Sequence, residues 1–318
     1  MKFLCKILFF ALILGGVCGW YAYKRIVDGG PLIESLSIEI EKGASSQQVA
    51  YQLYEHNVIS NPYLFRGLMK YQKADGKIKA GEYLFTPGIS MLATLNKLVK
   101  GDVILHKITI PEGYTVGQIR KLLDADEILS GESIVNLQEG TIFPETYTYS
   151  KGEQRSALIK KAQAMMAQKL QNIWEKRADG LPYQNMQDML IMASIIEKET
   201  GVDDERTKVA SVFINRLRKG MLLQTDPTVI YALTKGEDDL GRLLTRKDLA
   251  FDNPYNTYVY AGLPPTPICN PGESSLWAAA HPEQTEYLYF VANGTGGHNF
   301  AKTLAEHNRN VADWKKIR

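Results

Sequence analysis

The strongest constraint on what this chain can fold into is a pattern that returns. Ile38, Ile40, Gly43, Ser45, Gln48, Val49 and Leu53 reappear seventy positions later as Ile108, Ile110, Gly113, Thr115, Gln118, Ile119 and Leu123. Each copy reads as an alternating strand, a glycine turn, a Ser/Thr helix cap and an amphipathic helix. A looser third copy runs from Tyr83 and Phe85 through Gly88 and Ser90 into a helix over Met91–Leu98. The period is irregular, so the reading is of small α+β units and not a solenoid.

Ahead of these units, Ile7–Tyr23 is 17 residues without a charge, at the short end of a membrane span. Lys2 and Lys6 precede it, Lys24 and Arg25 follow, and Trp20, Tyr21 and Tyr23 stand at its outer end. Aromatic rings favour the headgroup region. No signal-peptidase site of the A-x-A kind is evident, and Val17 before Cys18 fits a lipoprotein box poorly, so an uncleaved anchor is expected. Basic residues at both ends leave its orientation open. Residues 26–35 read as a linker.

Past Phe143–Tyr147 the pattern turns helical. Arg155–Arg177 places Leu158, Ala162, Met165, Met166, Ile173 and Trp174 on one stripe. Asn185 can cap a second helix from Met186 to about Thr200, and a third, Arg206–Lys219, stops at Gly220. From Met221 onward Pro, Gly, Asn and Tyr accumulate, the composition of ordered loops where binding residues concentrate. The expected architecture is α+β. It comprises a tip and transmembrane helix (1–25), the linker, an α+β region over 36–140, and a mixed helical and short-strand domain over 141–318.

Composition excludes more than it selects. A balance of 37 basic against 35 acidic residues gives +2, without the excess expected of a nucleic-acid surface. Cys5 and Cys18 lie in or beside the apolar segment, which leaves Cys269 without an internal disulfide partner. No Cys/His spacing suggests zinc. His281, His298 and His307 match no metal signature and read as loop anchors, so no metal or cofactor is expected.

One carboxylate breaks the helical pattern. At about 100° per residue, Met189, Met192, Ala193, Ile195 and Ile196 form an apolar face. Gln187, Ser194, Glu197 and Lys198 share the opposite wedge. Glu199 stacks over Met192, Ile195 and Ile196, continuing the apolar face beside the helix C-terminus. Desolvation and the helix dipole both oppose its negative charge, so a proton should stay on it near neutrality. A general acid needs that property. Glu197, about 160° away on the wheel, reads as solvated or ion-paired.

Together these residues resemble a known family. The runs Met192–Thr200, Val209–Leu217 and Leu223–Tyr231 are similar to the endolytic murein transglycosylase, YceG-like, family. So are Tyr255–Tyr258, Gly262–Pro265, Ala279–Pro282, Tyr287–Phe290, Gly297–Phe300 and the pair His307, Asn308. The βα units of 36–140 resemble LysM-type glycan-binding modules, in pattern more than in motif.

The resemblance implies a single-pass inner-membrane protein with a cytoplasmic N-terminus and a periplasmic enzyme domain. It implies cleavage of the MurNAc-β-1,4-GlcNAc bond in peptidoglycan glycan strands, leaving 1,6-anhydro ends. It implies one essential glutamate, placed at Glu199 with Glu197 as the fallback. Candidate sugar-holding residues are Asn215, Gln224, Thr225, Asp226, Tyr255, Asn256 and Tyr258. Expected partners are the glycan strands and wall synthases of the penicillin-binding class, with no nucleic acid. A membrane-tethered scaffold without catalysis, or a hydrolase using Asp226 or Glu145 as a second acid, are the competing readings.

Overall fold

The computed structural model describes residues 2–317, as a mixed α+β protein of two compact units. The first contains Met1–His106 and Thr148–Gly152, the second Lys107–Tyr147 and Glu153–Arg318. Residues 107–140, grouped by the sequence pattern with the preceding α+β region, therefore belong by contact to the second unit.

The first unit begins with helix α1, Lys2–Val27, whose side chains between Ile7 and Tyr23 are almost all exposed. Its Lys6–Val27 portion is long and apolar enough to cross a membrane. Next come β1 (Leu36–Ile40), α2 (Ser46–Glu55), α3 (Pro62–Tyr71), β2 (Gly81–Phe85) and α4 (Met91–Lys100). β1 and β2 pair antiparallel, with Leu36 opposite Phe85 and Ile40 opposite Gly81. Strand alternation sends Ile38, Ile40, Tyr83 and Phe85 to one buried face. Against it lie Val49 and Leu53 from α2, Phe65 and Met69 from α3, and Leu95 and Leu98 from α4.

The repeat is real in three dimensions. Ser45, Ser90 and Thr115 each accept a hydrogen bond from the backbone N–H three residues on, and Ser45 and Thr115 complete capping boxes with Gln48 and Gln118. Gly43, Gly88 and Gly113 occupy the same turn position at φ of 87°, 68° and 73°, a region that costs glycine nothing. The second copy, β3 (Leu105–Thr109) and α5 (Val116–Asp124), leads into the second unit, and β3 pairs with β4 (Thr146–Ser150).

The second unit is built around α7 (Met186–Glu199), packed by α6 (Arg155–Glu175), α8 (Arg206–Arg218), α9 (Asp226–Thr234) and α11 (Glu273–Ala280). A short α10 (Arg246–Leu249) precedes α11. An antiparallel hairpin of β5 (Tyr289–Ala292) and β6 (His298–Ala301), followed by α12 (Leu304–Ile317), completes the unit. Every residue of α7 from Met189 to Ile196 is buried.

Of the two readings open for Glu197, solvated or ion-paired, the second holds, through Arg206. Ser194 is fully buried, donates to Ile191 O and accepts from the Ile268 N–H. The Glu197 side chain is 6% exposed. A wheel assumes one wet face, whereas α7 has neighbours all round, including the 268–272 segment.

Candidate functional site

Glu199 is the last residue of α7, and Thr200 ends the helix by turning to extended backbone. The carboxyl thus sits where the macrodipole is negative. It is crowded by protein yet keeps partial solvent access. Burial is the main cause that raises its pKa to about 7, and the Asp226 charge adds to it. The Thr225 hydroxyl and the Arg216 charge pull the other way. Thr225 Oγ1 is buried and completes no well-formed hydrogen bond among the described residues. It is the N-cap residue of α9 but does not cap it. Its hydroxyl faces the carboxyl instead.

Asp226 opens α9 and accepts a 2.6 Å hydrogen bond from the Tyr258 hydroxyl. Gln224 is exposed, with φ of 49°. The segment is clamped to the Tyr255–Tyr258 loop, because Gln224 N donates to Thr257 O and Thr225 N to Thr257 Oγ1. Glu199, Gln224, Thr225, Asp226 and Tyr258 are therefore brought together at the end of α7.

The other candidates are placed differently. Asn256 is fully buried and spends its amide on Leu249 O and Phe251 O, while its Oδ1 accepts from the Tyr258 N–H. It holds the loop that presents Tyr258. Tyr255 packs its ring 4.9 Å from that of Tyr231 and hydrogen-bonds Thr266. Asn215 donates to Thr285 O and Tyr287 O and lines a cavity of about 610 Å³ with Ser211, Arg218 and Glu283, in which Glu199 takes no part. Glu197 accepts from the Gly272 N–H at 2.9 Å and lies 3.9 Å from Arg206, a setting of structural support.

The YceG-like family profile matches residues 38–313. The chain belongs to this family. An endolytic murein transglycosylase of Bacillus subtilis is 36% identical over 86% of this chain and 83% of its own length. A Streptococcus pneumoniae protein of the same name is 27% identical, covering 96% of this chain but 64% of its own length. A crystal structure of a YceG-like protein from Listeria monocytogenes superposes with a TM-score of 0.53 at 34% identity, over 87% of this chain and 98% of that one.

Three residues escape sequence reasoning, two of them beside the site. Arg216 reads as one basic residue in a helix that ends in several. Tyr289 stands out only as part of the Tyr287–Phe290 run. Its ring lies 5.3 Å from the Arg216 guanidinium and 5.2 Å from the His307 ring. Glu139, the third, has no local signal at all. It is 7% exposed, accepts from the Val116 N–H at the start of α5, and lies 3.3 Å from the Asn270 amide. The loop-anchor reading of the histidines is corrected in part: His281, just past α11, contacts Lys176 O, but His298 lies in β6, against Glu205, and His307 in α12. Cys269 is fully buried beside Ser194 O, and burial pushes its thiol well up.

Two carboxyls raised together have a measurable consequence. Burial lifts both Glu199 and Glu139 to about 7, so each binds its proton more tightly folded than unfolded. Their contribution is fully present below about pH 4.5 and is lost as pH rises through 7. Each contributes about 1–3 kcal/mol. The full chain in detergent should therefore lose thermal stability between pH 5 and 8. A variant carrying Glu199→Gln and Glu139→Gln should be flatter across that range, and an equal decline in both proteins would refute the linkage.

Proposed function

We propose that this protein is a membrane-anchored lytic transglycosylase that cuts peptidoglycan glycan strands internally at the MurNAc-β-1,4-GlcNAc bond. The observation that carries the reading is Glu199, a carboxyl held near a pKa of 7 by burial at the end of a buried helix, yet still reachable from solvent. The relatives named endolytic murein transglycosylases supply the substrate class.

The chemistry needs one carboxyl. Protonated Glu199 donates to the glycosidic oxygen as the C1–O bond breaks, and the GlcNAc-bearing strand leaves as an alcohol. The C6 hydroxyl of the same MurNAc attacks C1, and the Glu199 carboxylate takes that hydroxyl's proton. A 1,6-anhydro ring forms, no water is consumed, and the carboxyl is restored. Intramolecular attack gains the proximity advantage an external water lacks. Thr225, Asp226, Tyr258 and Gln224 line the same place and hold the sugars, while Asn215, Tyr255 and Asn256 fix the segments behind them.

The rest of the chain serves delivery. α1 anchors the protein in the membrane with its N-terminus cytoplasmic, which puts the catalytic region (141–318) on the outer, periplasmic side. Within the LysM-like region (36–140), β1, α2, α3 and β2 follow one another in strand–helix–helix–strand order. Wall synthases that produce nascent strands are the fitting partners.

Mass spectrometry of purified sacculi digested by the full chain tests this directly. Anhydro ends without new reducing ends are expected. Reducing ends would indicate a hydrolase with Asp226 as second acid, and an unaltered sacculus would indicate a scaffold.

A further inference from the structure

Arg216 is a buried cation whose hydrogen bonds all go to neutral partners. It is 8% exposed. Its Nε donates to Leu288 O at 2.7 Å, and its Nη1 to Leu223 O at 2.7 Å and Leu222 O at 3.4 Å. The ring of Tyr289 lies 5.3 Å from it. Among the described ion pairs, no carboxylate reaches this guanidinium, although the other buried arginine, Arg206, has both Asp203 and Glu197. Carbonyl dipoles and an aromatic face solvate a buried charge only partly, and a charge left without a counter-ion is costly. Structural arginines are not usually left so.

The groups that face it explain the arrangement. Glu199 from α7, Tyr258 from the loop before α11 and Tyr289 from β5 lie within reach of its charge, and His307 from α12 faces it as well. Around Glu199 itself stand Arg216 from α8, Asp226 from α9 and the Thr225 hydroxyl. The carbonyl that Arg216 grips, Leu223 O, is two residues before Thr225. One side chain therefore both fixes the segment that presents Thr225 and Asp226 and brings a permanent positive charge within electrostatic reach of Glu199.

We propose that Arg216 is a positioning residue for Glu199, whose charge stabilises the carboxylate left after the proton has passed to the leaving oxygen. This rests on the lytic reading above, in which Glu199 must serve as acid and then as base. A glutamate in a purely apolar setting would hold its proton at rest but release it reluctantly, because nothing would stabilise the carboxylate left behind. A fixed charge close by, but not in ion-pair contact, supports the anion without capturing it in the resting state.

The test compares pH–rate profiles for anhydro-end release by the full chain. Glu199 must start protonated, so the rate falls as pH rises through its pKa. Arg216→Gln keeps amide donors for the carbonyls but removes the charge. Its alkaline limb should move up by about one pH unit, with the plateau lowered about tenfold or more. Arg216→Lys keeps the charge, so its limb should stay in place, and it should recover most of the rate lost in Arg216→Gln. A lowered rate with an unmoved limb in Arg216→Gln would mean that Arg216 only braces the fold, and would overturn the proposal. Should the Gln variant fail to fold, Arg216→Met takes its place: an upward limb shift that Arg216→Lys does not show supports the proposal, and an unmoved limb overturns it. Full activity in Glu199→Gln would take down the lytic reading and this inference together. An inactive Glu199→Gln with an unmoved Arg216→Gln limb removes the inference alone.

Discussion

Glu199→Gln is expected to abolish release of anhydro-muropeptides from purified sacculi, by about 10²–10⁴-fold, the range for loss of a general acid. The amide matches the carboxyl in shape and can still meet the Thr225 hydroxyl. It cannot give up a proton to the glycosidic oxygen or take one from the C6 hydroxyl. Circular dichroism should show an unchanged fold. Glu197→Gln is the informative control, two residues away on the same helix. Its carboxylate accepts from the Gly272 N–H and faces the buried Arg206, so its loss should lower stability and leave turnover largely intact. Full activity in Glu199→Gln would rule out the assignment, and loss in Glu197→Gln alone would transfer it there.

Phe213→Ala should be the most damaging single truncation in the second unit, costing about 3–5 kcal/mol. Phe213 is 1% exposed on α8, and its ring meets that of Phe290 edge-on at 5.8 Å. It therefore joins the helix that carries Arg216 to the strand that carries Tyr289. Thermal unfolding should shift down by about 6–20 °C. Turnover should also fall well below the transition temperature, because the cavity lies beneath the residues that set the field at Glu199. Phe213→Leu, which keeps most of the volume, should recover most of both losses. A shift of only a degree or two in the alanine variant would show that the contact is not an anchor.

The local elements were legible because local chemistry dictates them. Ser45, Ser90 and Thr115 announce helix starts, Gly43, Gly88 and Gly113 announce turns, and the alternation of Ile38 and Ile40 announces a strand. All three copies formed as read. The three long helices end within two residues of their expected limits. What one helical wheel left open was whether Glu197 is solvated or ion-paired, and the structure pairs it with Arg206. Ser194 and Glu197 occupy a polar wedge that α7's neighbours cover, and no periodicity within a single helix can report those neighbours.

The site divides along the same line. From sequence alone, position 199 could be singled out, because a carboxylate that continues an apolar stripe at a helix C-terminus has its charge opposed by its own helix. The motif runs around it also sufficed to identify the family. Only tertiary structure decided which polar residues share its space. It set Thr225, Asp226 and Tyr258 beside Glu199, turned Asn215 and Asn256 toward backbone carbonyls, and brought Arg216 and Tyr289 in from separate elements. Hydrogen bonds to main-chain groups tens of residues away, and charges that act through space, leave no period or spacing in a sequence. They exist only once the chain has packed.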